Sequence, residues 1–283
     1  MNDKADSTRS VAESLAERVA RPVVYLLPDM DRVRVISNLK YSKVDNPYLL
    51  MDVYVPPDLK PHERCPVVVF IHGGAGPEYK AKDWGMFQSW GRLVAAAGMV
   101  AVMFTHRFSP PPHLLLVEAA SDLNDALGYL QLNAESFQAD GDCVGVCAWS
   151  SGGALLTPLL IESPVYVRCL VAFYGLLDVQ QYAPPGDAAA LQYLKAFSAI
   201  TSLPEDASTL MPMLILRAGR DEIPALNDAL DRFVTKALAV NAPITVTNYP
   251  AGGHGFDNNR DEERSKQIVR SSIGFMRTHL GLD

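Results

Sequence analysis

From residue 67 onward, six short strand-like runs alternate with stretches of helical periodicity. The runs fall at 67–71, 99–104, 143–147, 169–173, 213–218 and 244–249, and the helical stretches near 84–97, 115–133, 151–162, 225–240 and 262–280. Strand-like runs that are apolar throughout fit strands buried on both faces, and a helix between each pair carries the chain back to start the next strand in parallel. The pattern therefore predicts an α/β fold, a mostly parallel central sheet with helices on both faces. Upstream, 32–41 and 49–55 alternate as an antiparallel pair at one sheet edge, with Asp45-Asn46-Pro47 as the turn. Ligands of such sheets bind beyond the carboxyl ends of the strands, so the residues that follow each run carry the functional argument.

The most informative of these follow the third run. Residues 148–153 read Ala-Trp-Ser-Ser-Gly-Gly, nearly the GxSxG pattern in which a sharp strand-to-helix turn exposes one serine at the top of a sheet. Residues two before and two after that serine crowd each other in the turn and must be small. Ser150 meets the requirement with Ala148 and Gly152, whereas Ser151 would place Trp149 there. Ser150 is the candidate nucleophile, with an ordinary helix-capping serine as the bland alternative.

A serine needs a base and a group that orients the base. Asp221 follows the fifth run in Gly-Arg-Asp, and His254 follows the sixth in Ala-Gly-Gly-His-Gly-Phe. In this order His254 would move the proton of Ser150 and Asp221 would hold the imidazole, with Glu222 a neighbouring rival for the acid. After the first run, His72-Gly73-Gly74-Ala75-Gly76 forms a loop whose backbone can approach a substrate closely. The amides of Gly73 and Gly74, with that of Ser151, are the candidate oxyanion donors. His72 fits a role in shaping this loop, with a place in the pocket lining as the further possibility. His106 and Arg107, after the second run, are candidates for the pocket mouth, with a structural ion pair as the alternative for Arg107. Trp149 is a candidate pocket wall. Asp122 and Asp125 read as a solvated helix start rather than a carboxylate pair.

The HGG loop, the serine turn, Gly-Arg-Asp and Gly-His-Gly-Phe together resemble α/β-hydrolase fold carboxylesterases, particularly the hormone-sensitive-lipase-like and dienelactone-hydrolase-like groups. The resemblance runs from about residue 39 to 280 and includes 49–56, 105–110 and 122–127 as weaker landmarks; at 106 the chain carries His where the pattern has Tyr. It implies an N-terminal arm at 1–38 and a hydrolase domain at 39–283 with a small lid insertion at about 176–210. It also implies a serine esterase acting through an acyl-enzyme, with no cofactor and no metal. Short-acyl esters are the expected substrates, with Leu191, Leu194 and Phe197 either covering the pocket or packing on the sheet. The alternatives are an amide hydrolase of formamidase or acyl-peptide hydrolase type, and a non-catalytic ligand-binding receptor on the same fold.

The remaining composition narrows the partners. The 283 residues suffice for one large domain, and a net charge of −7 offers no basic surplus for nucleic acid. Cys65, Cys143, Cys147 and Cys169 show no metal or disulfide spacing; Cys143 and Cys147 would lie about 13 Å apart on one strand, beyond disulfide reach. They read as small buried hydrophobes. The charged N-terminus shows no secretory signal and no run is long enough to span a bilayer, so a cytoplasmic protein without membrane contact is expected. Residues 11–20 read as a helix, either an arm packed on the domain or a homodimer contact.

Overall fold

The computed structural model of the protein describes residues 15–74, 76–109 and 114–283. Residues 11–14 of the expected N-terminal helix, Ala75 of the glycine loop and Pro110 lie outside them. Among the described residues, eight strands form one sheet: β1 (Arg34–Lys40), β2 (Leu50–Val55), β3 (Cys65–Ile71), β4 (Val100–Phe104), β5 (Ala139–Trp149), β6 (Val167–Phe173), β7 (Met213–Ala218) and β8 (Ile244–Tyr249). Their spatial order is β1-β2-β4-β3-β5-β6-β7-β8. β2 is antiparallel to both β1 and β4, and every pairing from β4 to β8 is parallel. β1 crosses the boundary expected at residue 38, because its ladder with β2 runs from Arg34 to Lys40. The hydrolase sheet therefore begins inside the segment read as an arm.

The period-two alternation of strands distributes side chains between two core layers. In β3, Val67, Val69 and Ile71 enter one layer, and Val68 and Phe70 the other. All seven residues of β3 are buried, which explains a run without polar alternation. The helices are α1 (Leu15–Ala20), α2 (Gly85–Ala96), α3 (Leu116–Asn133), α4 (Leu156–Glu162), α5 (Ala188–Lys195), α6 (Ala199–Ser202), α7 (Leu226–Ala239), α8 (Phe256–Asn259) and α9 (Glu263–His279). Buried residues of α2 and α9 join the layer of Phe70, and those of α3, α4 and most of α7 join the layer of Val69, with Leu226 at the start of α7 in the layer of Phe70. α7 shows why it docks: Leu226, Ala229, Leu230, Phe233 and Ala237 recur on one helical face and are buried.

The 176–210 insertion packs differently from a lid. Asp187 caps α5 by accepting the Ala190 N–H at 2.9 Å, and Leu194 and Phe197 sit in the core layer with α4 and α7. Phe197 also accepts a hydrogen bond from the buried Thr157 hydroxyl at 3.0 Å. The near-helical spacing of Leu194 and Phe197 therefore serves packing on the sheet. Among the described residues, no helix is long and apolar enough to cross a membrane.

Candidate active site

β5 ends at Trp149, and Ser150 turns the chain with a backbone φ of 53° before a 3-10 turn, Ser150–Leu155, feeds α4. A non-glycine residue in this left-handed region is strained by about 1–2 kcal/mol, so neighbours must hold it. The Ser150 carbonyl accepts the Leu176 N–H at 2.8 Å. Crowding explains the small residues around it. A Cβ on Gly152 would lie 2.5 Å from the His72 carbonyl oxygen, and one on Gly73 would lie 2.7 Å from Ser150 Cβ. Ser150, not Ser151, occupies the strained position.

The loops after β7 and β8 are tied together by backbone: Gly219 N–H donates to the Tyr249 carbonyl at 2.9 Å and Arg220 N–H to the Gly252 carbonyl at 2.8 Å. That pairing brings Asp221 Oδ2 to 2.7 Å from His254 Nδ1. The Asp221 side chain is fully buried and that of His254 is 14% exposed. Since a carboxylate oxygen accepts, Nδ1 carries the proton and Nε2 is left as an acceptor. Glu222 holds the backbone of the histidine instead of its ring, its Oε2 accepting the His254 N–H at 3.3 Å.

Ser150, His254, Gly73 and Gly74 line one cavity of about 270 Å³, walled by Trp84, Phe87, Trp149 and Tyr174. Trp149 both lines it and packs behind the turn, stacked 5.2 Å from Phe173. Arg18 and Val19 of α1 also line it, whereas no residue of 176–210 does. The N-terminal segment thus borders the site that the insertion was expected to cover. Arg18 Nη2 donates to the His254 carbonyl at 3.1 Å, and Asn258 Nδ2 donates to the Arg18 carbonyl at 2.8 Å.

The glycine loop corrects two expectations. The Gly74 N–H donates to Ser151 Oγ at 2.6 Å, so in this conformation that amide is engaged by a side chain. Gly73, against Ser150 and 3.2 Å from the Ser151 nitrogen at its would-be Cβ, is the loop residue nearest the nucleophile. His72 and His106 do not line the pocket. Both are fully buried beneath the loop, their rings stacked at 3.8 Å. The His106 N–H donates to His72 Nε2 at 3.2 Å, which places the His72 proton on Nδ1, 3.3 Å from the Gly73 carbonyl. Burial pushes both imidazoles below their ordinary range, His72 further, with His106 beside it. His72 supports the loop from below.

Asp122 is likewise not solvated. It is fully buried and accepts from Arg107 Nη2 at 2.8 Å, from its Nε, and from its backbone N–H at 2.7 Å. Asp125 accepts the Ser42 hydroxyl and the Lys43 N–H. The two acids anchor chain segments rather than face a substrate. Cys65, Cys147 and Cys169 are buried and Cys143 is partly so, all as free thiols. Burial pushes the Cys169 thiol up to about 12.

Sequence reasoning missed Asp257. This fully buried carboxylate accepts Trp90 Nε1 at 2.9 Å, Trp149 Nε1 at 3.0 Å and the Tyr174 hydroxyl at 2.6 Å. The Tyr174 ring lies 4.4 Å from the His254 ring. Burial and the neighbouring Asp257 push the Tyr174 phenol well above its usual range. The one available signal was indirect: buried tryptophans require an acceptor for each indole N–H.

The chain is 29% identical over 205 residues to 5-methylorsellinic acid synthase of Aspergillus terreus, covering 68% of this chain and 7% of that protein. It is 23% identical over 239 residues to esterase LipQ of Mycobacterium tuberculosis, covering 74% of this chain and 54% of the other. It therefore spans only a small part of the polyketide synthase relatives and about half of LipQ. Among solved structures, the Est2 esterase of Thermogutta terrifontis superposes with a TM-score of 0.69 at 20% identity, covering 93% of this chain and 97% of that one. A truncated carbohydrate esterase from gut microbiota gives 0.67 at 18% identity, covering 91% and 99%. The fold is that of the α/β-hydrolases. The BD-FAE family model matches residues 51–197, more than half of the chain, and the protein belongs to that family of α/β-hydrolase esterases.

Proposed function

We propose that the protein is a serine hydrolase that cleaves short-acyl carboxylic esters through an acyl-enzyme. The observation that carries the reading is the 2.7 Å contact of His254 Nδ1 with the buried Asp221, in a residue that shares its cavity with the strained Ser150. Ser150 Oγ attacks the ester carbonyl while His254 Nε2 takes its proton. The carbonyl oxygen becomes an oxyanion that the Gly73 and Ser151 amides receive; Gly74 joins them if its N–H leaves the Ser151 hydroxyl. The acyl–oxygen bond then breaks and His254 returns the proton to the departing alcohol oxygen. Water, activated by the same imidazole, releases the acid and restores Ser150. Asp221 fixes the tautomer and stabilises the imidazolium.

Cavity size supports the short acyl group. A cavity of about 270 Å³ has room for a small ester. Est2 of T. terrifontis has been captured with propionate and with butyrate, which favours the same range here. Hydrolysis of p-nitrophenyl acetate by the wild type and by Ser150→Ala tests the reading, together with mass-spectrometric mapping of the adduct left by paraoxon. Loss of turnover in the variant and a single adduct on Ser150 are expected. Undiminished turnover in Ser150→Ala, or an adduct on Ser151, overturns the assignment.

A further inference from the structure

Among the described residues, His254 borders two neighbouring hollows, and Ser150 lines the first of them. The second, of about 650 Å³, is lined by His254, Arg18 and Asn259, which it shares with the first, and by Glu222, Arg260 and Glu262 among others. In ester hydrolysis the acyl carbon is bonded to the nucleophile, so the acyl half stays beside Ser150. The alcohol half leaves with the proton that His254 delivers, so it lies on the histidine side. The apolar, aromatic-walled cavity thus suits the acyl group, and the polar hollow suits the alcohol.

The charges around the polar hollow are unequally engaged. Glu262 accepts from Arg260 Nε at 2.6 Å and from the Tyr249 hydroxyl at 2.5 Å. Glu222 accepts the His254 N–H. Arg260, besides holding Glu262, donates through Nη1 to the Ala251 carbonyl. Arg18 differs. It is half-buried, donates through Nη2 to the His254 carbonyl at 3.1 Å, and among the described residues has no carboxylate within ion-pair distance. A guanidinium carries five N–H donors in a planar fork that matches a carboxylate, so among the described residues most of its donors are left to meet a ligand.

We infer that the alcohol half of the natural ester carries a carboxylate, and that Arg18 binds it where the two hollows meet. The inference rests on the serine-esterase reading and adds a substrate class to it. Partial burial strengthens such a contact relative to one in open water, and displacement of hydrated ions makes it salt-sensitive.

Two acetyl esters with the same acyl group and the same kind of phenolic leaving oxygen provide the test: 4-acetoxybenzoate, which is anionic, and 4-acetoxybenzamide, which is neutral. The kcat/KM of each, divided by its rate with hydroxide, is measured for the wild type, Arg18→Lys and Arg18→Gln, with circular dichroism melts to confirm folding. The wild type should favour the anionic ester by on the order of tenfold. The preference should shrink in Arg18→Lys, vanish in Arg18→Gln and weaken in high salt. Equal kcat/KM for the two esters in the wild type, or a preference that survives in Arg18→Gln, overturns the inference and leaves the esterase reading intact. If the wild type cleaves neither ester faster than Ser150→Ala does, the esterase reading falls and takes this inference with it.

Discussion

The indole of Trp149, the residue before Ser150, donates to Asp257 at 3.0 Å, and Asp257 lies in α8, the short helix that follows His254. The same carboxylate holds Tyr174, whose ring lies against that of His254. One buried acid therefore links the strand end that carries the nucleophile to the loop that carries the base, two parts distant in sequence.

Replacing that acid should disturb both at once. Asp257→Asn keeps the shape but turns an amide N–H toward indole or phenol donors, at about 1–3 kcal/mol for each group left unsatisfied. We expect a lower melting temperature and a kcat reduced by about tenfold or more with KM little changed, since the defect lies in alignment of reacting groups. Wild-type kcat in a folded Asp257→Asn variant would show that the link does not govern the chemistry.

Ser151 and Gly73 should separate two aspects of the oxyanion loop. Ser151→Ala removes the acceptor of the Gly74 N–H but keeps the backbone amide, so kcat should stay within about tenfold of wild type, the range of one modest hydrogen bond. Gly73→Ala drives a methyl against Ser150 Cβ and the Trp149 carbonyl. It should cost on the order of a hundredfold, the effect of losing an oxyanion donor. Steady-state kinetics of the two variants on one acetyl ester decides, and the reverse ranking would relocate the oxyanion site.

Acyl length should be limited by the aromatic walls. Each buried methylene contributes about 0.8 kcal/mol where there is room for it, so kcat/KM should peak between acetyl and butyryl p-nitrophenyl esters and fall by octanoyl. A steady rise to decanoyl would mean that the wall formed by Trp84, Phe87 and α1 opens into a longer channel, and the short-acyl proposal would fail.

The two stacked histidines predict a pH-dependent stability. Burial lowers the folded pKa of His72 and His106 below 6.5. Below about pH 6.5 the unfolded chain takes up protons that the folded chain refuses. Stability from this pair is complete above that pH and declines as the pH falls toward the folded values. Melting temperatures at pH 7.5 and 5.5 should differ less in a His72→Asn/His106→Gln variant than in the wild type. An unchanged difference would assign the acid sensitivity elsewhere.

How much of this was written in the chain follows from the range of each interaction. The central parallel strands were legible because burial on both faces leaves an apolar run with sharp ends: β7 matches the expected 213–218, and the edge strand β8, of which only Tyr249 is buried, matches 244–249. The turn at Ser150 was legible because crowding restricts its neighbours to small residues. What local patterning could not convey was which distant groups meet. Asp122 looks like any acid early in a helix until Arg107 is placed beside it, and the buried His72–His106 stack looks like two loop histidines. The helical spacing of Leu194 and Phe197 fitted a lid and a core equally, and packing on the sheet prevailed. Nothing near Arg18 in the chain indicates that α1 ends beside His254.

The left-handed backbone at Ser150 sets activity against thermal endurance. Glycine adopts φ near 53° without the Cβ penalty, whereas alanine keeps it. Ser150→Gly and Ser150→Ala should be equally inactive, yet the glycine variant should melt at the same or a higher temperature. Strain relief of about 1–2 kcal/mol outweighs or offsets the roughly 0.5–1 kcal/mol of extra unfolded-state freedom that glycine brings. Calorimetry on the pair would measure how much durability the fold gives up to present its hydroxyl, and a glycine variant less stable than the alanine one would mean that the turn is relaxed. Selection for heat resistance alone, with no demand for turnover, would favour glycine at this position.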